Sequence, residues 1–247
     1  MSRWKLTIEY DGTAFCGWQK QPEDITVQQT LERSIESFCG EPVNLHVAGR
    51  TDAGVHALAQ VAHFDCAKET TAEIVRDAVN SYLRPHKIAV LKAECVDKSF
   101  HARFSALGRS YRYRIINRRA PITMQTNYAW HIIKPLDVTL MQNAAALLLG
   151  THDFTTFRAQ NCQAKSPVRT LDRLTIQQEG EEIFVYAEAR SFLYHQVRNM
   201  VGTLTMVGKG SWSLDDFRTA FAACDRAKGG PTAPPQGLYF CGVSYPD

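Results

Sequence analysis

Ala48 to His56 reads Ala-Gly-Arg-Thr-Asp-Ala-Gly-Val-His, and its Asp52 is the residue of this chain best framed for chemistry. Gly49 and Gly54 bracket the acid and let the backbone take positive φ or approach a ligand closely, while Ala48, Ala53 and Ala57 add no bulk. A carboxylate on such a turn can act as a nucleophile or a base, and a nearby cation favours the ionised form of a carboxylate. Arg50 can supply that cation or steer a phosphate. The plainer reading makes Asp52 an Asx turn with Arg50 as its surface partner, and the turn alone does not choose between the two.

Two further segments carry possible chemistry. Ser110-Tyr111-Arg112-Tyr113-Arg114 interleaves aromatic rings with guanidinium groups, the pattern of a surface that stacks a base and holds phosphates. Its ordinary reading is a half-buried strand with core tyrosines and solvated arginines. In Phe192 to Gly202, Phe192, Val197 and Val201 fit one buried helix face, with Arg198 one step off it. Such an arginine either snorkels at the surface or reaches into a cleft to pair with Asp52.

Other chemistries lack anchors. G-x-G-x-x-G, Walker A, H-E-x-x-H and G-x-S-x-G patterns are all missing from the sequence. His152 and Asp153 could serve a metal-dependent phosphohydrolase, but the remaining histidines form no recognisable ligand set. The seven cysteines are widely spaced with no C-x-x-C pair, as suits a reducing compartment.

The elements that must position these residues follow from periodicity. The 247 residues are 45% hydrophobic and 21% charged, ordinary globular composition with room for two halves. Trp4, Leu6, Ile8 and Tyr10 alternate with polar residues and predict a strand; Thr26 to Gln29 looks like a capping box opening a helix with Val27, Leu31, Ile35 and Phe38 inside, ended by Gly40. Strands over 44–47 and 60–64 flank the Asp52 turn. A helix starting at residues 70–73, with Ile74, Ala78 and Tyr82 inside, and a strand over 87–93 complete a β-α-β-β-α-β plan.

The second half repeats the theme less cleanly. A strand spans 109–116, a helix 135–149, a hairpin 169–190, helices 192–207 and 214–224, and a last strand 237–243. The expected fold is α+β: two ferredoxin-like halves, 1–105 and 106–247, forming a continuous, mostly antiparallel sheet with helices on one side and a central cleft.

Net charge is only +3, a weak argument for nucleic acid. Distribution says more: Lys98, Arg103, Arg109, Arg112, Arg114, Arg118 and Arg119 lie in one stretch without an acid after Asp97, a local cationic surface. No run of eighteen apolar residues and no targeting segment is seen, so a soluble, cytoplasmic protein off the membrane is expected.

With these segments in view, the sequence resembles the tRNA pseudouridine synthase A family. The resemblance rests on residues 48–56, 110–114 and 192–202, the tail Ala233 to Tyr239, the start Ile8 to Thr13 with Phe15 and Gly17 to Gln19, and His152 to Phe154. It implies isomerisation of uridine to pseudouridine at positions 38, 39 and 40 of the tRNA anticodon stem-loop, without a cofactor or metal, by a homodimer. It assigns Asp52 as the essential catalyst and Tyr111 as the ring stacked on the target uracil. Arg198 would pair with the catalytic carboxylate, and Arg50 would assist base flipping or phosphate positioning. A non-catalytic RNA-binding module with the same halves is the alternative from another class, although an RNP1-type run is missing.

Overall fold

The computed structural model describes residues 1–246. They divide into two compact units: Met1–Arg109 together with the tail from Tyr239, and Ser110–Leu238.

In the first unit, alternation makes β1 (Ser2–Tyr10), with Trp4, Leu6, Ile8 and Tyr10 all buried. Helix α1 (Val27–Cys39) starts where the Thr26 side chain accepts from the Gln29 amide, buries Val27, Leu31, Ile35 and Phe38, and ends at left-handed Gly40. Strands β2 (His46–Val47) and β3 (His56–Cys66) follow, then α2 (Ala72–Leu83) and β4 (Ile88–Val96). The expected β-α-β-β-α-β order is present, with β1 antiparallel to both β3 and β4 and β2 antiparallel to β3.

One face differs from expectation. Helix α2 starts within the expected residues 70–73, with Thr71 as its cap, but Val75, Val79 and Leu83 are buried, whereas Ile74 and Tyr82 are more than half exposed. Two apolar stripes lie one residue apart on this helix, and packing selects the one made of Val75, Val79 and Leu83.

The second unit starts on β5 (Gly108–Asn117), with β6 (Trp130–Ile132) pairing alongside it. Helix α3 (Val138–Ala146) is shorter than the expected 135–149 because Asp137 supplies the cap, accepting from the Leu140 amide at 2.9 Å. Strands β7 (Gly150–Asp153), β8 (Val168–Glu179) and β9 (Glu182–Ala189) extend the sheet in the order β5-β9-β8-β7. Helices α4 (Gln196–Gly208) and α5 (Leu214–Ala222) follow, the latter opened by a full capping box between Ser213 and Asp216.

The segment expected as a helix from residue 192 becomes helical only at Gln196, because His195 takes a left-handed conformation at φ 61. The last strand, β10 (Leu238–Ser244), returns to the first unit, where Tyr239 and Phe240 pair in parallel with His56 and Ala57 of β3. The second unit is therefore an insertion between two parts of the first, rather than a half running to the C-terminus.

Candidate active site

The Asp52 turn joins β2 to β3, and its backbone is fastened from both sides. The Ala48 amide donates to the Val61 carbonyl at 2.8 Å, the Gln60 side-chain amide donates to the Gly49 carbonyl at 2.8 Å, and the Val55 amide donates to the Asp52 carbonyl at 3.2 Å. The segment after β1 closes over the turn. The Trp18 amide donates to the Thr51 carbonyl at 3.0 Å, and the Gly54 amide donates to the Phe15 carbonyl at 3.3 Å.

Gly17, at φ 85, makes this approach possible. A β-carbon there would lie 2.8 Å from the Thr51 carbonyl oxygen and 3.1 Å from the Asp52 carbonyl carbon.

Side chains sort along the turn by what they meet. Thr51 points inward, and its hydroxyl shares a 2.7 Å hydrogen bond with that of Tyr10. Burial pushes the Tyr10 phenol up to about 12, although hydrogen bonds to Thr51 and Gln60 pull the other way. Tyr10 is thus a neutral hydrogen-bonding post. His56 is buried at the far end of the turn, its Nδ1 accepting from the Gly12 amide at 3.0 Å and its ring stacked 4.9 Å from Tyr239. That accepted bond places the ring proton on Nε2. Asp52 is half-buried, while Arg50 is exposed with no side-chain partner among the described residues. A carboxylate on a fixed turn beside a free guanidinium can attack or deprotonate a bound substrate while the arginine engages phosphate.

Tyr111 and Arg198 belong to the second unit. On β5, Tyr113 and Ile115 are fully buried whereas Tyr111 is half-buried, its ring edge-on to Phe192 at 5.1 Å and 88°. Phe192 therefore serves as a wall for Tyr111 instead of a rung of α4. Tyr113 takes the core role, donating to the Pro234 carbonyl at 2.7 Å; burial raises its pKa, opposed by nearby Arg198.

Helix α4 is buried all round except at Arg198 and Met206. The Arg198 Nε donates to the Ala233 carbonyl at 2.8 Å, and the Ala233 amide donates to the Arg198 carbonyl at 3.1 Å. Gly202 admits the same tail, since a β-carbon there would fall 1.7 Å from the Pro231 carbonyl oxygen.

The basic stretch is less cationic than its composition. Arg109 turns inward onto the Ala48, Arg103 and Ala106 carbonyls. Arg114 forms a forked pair with Glu182, and Arg118 pairs with Glu181 at 3.0 Å. Lys98, Arg103 and Arg119 remain exposed. His152 engages the Leu149 carbonyl at 2.7 Å, and Asp153 accepts from the Thr155 amide at 2.8 Å, so both serve local structure.

A family model described as tRNA pseudouridine synthase matches residues 6–105 and 144–246. A tRNA pseudouridine synthase A from Paramagnetospirillum magneticum is 57% identical over 245 residues, 99% of this chain and 96% of the relative. This chain belongs to the tRNA pseudouridine synthase A family. Others in that family are nearly as similar: 56% identity to the Rhodospirillum centenum protein, over 99% of this chain and all of the relative, and 53% to that of Rhodospirillum rubrum, over 100% and 88%.

Membership makes the chain an isomerase that forms pseudouridine in tRNA, and it displaces both the RNA-binding module and the phosphohydrolase. No helix among the described residues is long and apolar enough to cross a membrane. Two supports of the synthase A turn were not assigned from sequence. Tyr10 reads as an inward position of the first strand, and both Tyr10 and Gly17 enter the family resemblance with no role of their own; only the fold brings them to Thr51. The left-handed His195 likewise carries no local signal, since neither glycine nor proline marks it.

Proposed function

We propose that this enzyme isomerises uridine at positions 38, 39 and 40 of the tRNA anticodon stem-loop, with Asp52 as its catalyst and no cofactor. The N1–C1′ bond breaks, the uracil turns while held, C5 bonds to C1′, and the step balances as C5 loses its proton and N1 gains one. The reaction is redox-neutral and needs nothing from outside. Asp52 acts by attack at C1′ or C6 or by taking a proton from C2′. A base within a stem must first be flipped, at a cost of about a few kcal/mol that stacking and phosphate contacts offset.

Tyr111 is the proposed stacking ring, Arg50 the group that assists flipping or holds phosphate, and Arg198 the counter-charge that the family resemblance assigns to it. Such a ring needs one accessible face and a fixed orientation, and half-buried Tyr111 against Phe192 meets both needs. We further propose a cytoplasmic homodimer.

The observation that carries this reading is the half-buried Asp52 on a turn held at Thr51 and Gly54, in a chain of the synthase family. Mapping pseudouridine in an anticodon stem-loop treated with wild type and with Asp52→Ala tests it. Product at those three positions is expected from wild type alone; substantial turnover by the variant would remove Asp52 from its role.

A further inference from the structure

In the first unit, the segment after β4 holds Phe104 with 73% of its surface exposed, although the backbone beneath it is firmly tied. Arg3 donates to the Phe100 carbonyl at 2.8 Å, Tyr245 donates to the Ala102 carbonyl at 2.7 Å, and the Ala102 amide donates to His63 Nδ1 at 3.1 Å. Arg109 binds the Arg103 carbonyl at 2.7 Å and the Ala48 carbonyl at 3.0 Å, fastening the segment to the first residue of the Asp52 turn. The phenyl ring is therefore held out on a rigid carrier.

Its company is cationic and hydrogen-donating. The Arg103 guanidinium lies 5.5 Å from the Phe104 ring centre, and the His101 ring lies 4.4 Å away. His101 Nδ1 accepts from the Arg103 amide at 3.1 Å and the Phe104 amide at 3.4 Å, leaving Nε2 as the protonated nitrogen. The nearest acid in the chain, Asp97, accepts from the Ser99 amide at 2.8 Å. His101 also meets His46, ring centres 5.3 Å apart, on the strand that leads into the catalytic turn.

An exposed aromatic face beside a guanidinium and an N–H donor fits an unpaired nucleobase with its phosphate. We propose that Phe104 stacks an unpaired base of the substrate tRNA outside the catalytic turn, with Arg103 taking the adjoining phosphate. This inference rests on the tRNA-modifying reading above.

The test is tRNA affinity at several salt concentrations for wild type, Phe104→Ala, Phe104→Trp and Arg103→Ala, with pseudouridine formation by wild type on the same tRNA measured alongside. Phe104→Ala is expected to raise Kd by about fivefold or more and Phe104→Trp to recover it. Arg103→Ala is expected to lower the salt slope by about one. Wild-type affinity in Phe104→Ala, while wild type still modifies the tRNA, would overturn the platform alone. A lower sedimentation mass for Phe104→Ala would assign this face to a second copy of the chain and also overturn it. A wild type that forms no pseudouridine would overturn both the platform and the functional reading.

Discussion

The Tyr10 hydroxyl, at the end of β1, shares a 2.7 Å hydrogen bond with the hydroxyl of Thr51, the residue before Asp52. Both groups are buried, so neither can exchange its partner for water. The Gln60 side-chain amide holds the Gly49 carbonyl at 2.8 Å, so the Asp52 turn is gripped on both sides of Arg50.

Tyr10→Phe keeps the ring and leaves the Thr51 hydroxyl without that partner. A cost of about 1–2 kcal/mol is expected, or a Tm fall of about 2–8 °C in calorimetry. Turnover should fall while tRNA affinity holds. Unchanged Tm and turnover would remove Tyr10 as a support.

Gly17→Ala attacks the same turn from the other side. The new methyl group must displace the Thr51 carbonyl, and an L-residue at φ 85 adds about 1–3 kcal/mol of strain. Misplacement of a catalytic group by about 1 Å can cost about a hundredfold, so a drop of at least about tenfold in kcat is expected. A fully active Gly17→Ala enzyme would mean that the turn tolerates movement.

Acid should weaken the first unit through His63. Its ring is buried, 4.7 Å from His101 and 4.9 Å from His46, and burial first, then these neighbours, lowers its pKa to about 4. The folded state thus binds fewer protons than the unfolded chain between about pH 6.5 and 4. Stability is full above that window and falls as the pH drops through it, by about 3 kcal/mol in total. Asp65, held below its usual range by Arg3, adds a further loss only at lower pH. Urea unfolding of wild type and His63→Gln at pH 7.5 and 5 measures this; equal pH dependence in the two proteins would contradict it.

Much of this architecture was legible because its signals are local. The alternation of β1, the Thr26 cap and the Gly40 stop each depend on a few neighbouring residues and are found where expected. Misreadings arose where distant partners decide. Ile74 and Tyr82 form a second largely apolar stripe beside the buried Val75 and Leu83, so the helix alone does not choose its face. Arg114 meets Glu182, 68 residues away, and a composition count cannot anticipate that pairing. In the candidate site, Asp52 and Arg50 stand out by glycine framing, whereas Tyr10 and Gly17 acquire a role only through contact with the turn.

Asp52→Asn is the sharpest probe of the catalytic carboxylate, because the amide keeps the shape and removes the charge. Single-turnover conversion of uridine to pseudouridine in an anticodon stem-loop should fall to the enzyme-free background in this variant, with tRNA affinity and Tm close to wild type. Conversion at a rate near wild type would contradict the assignment.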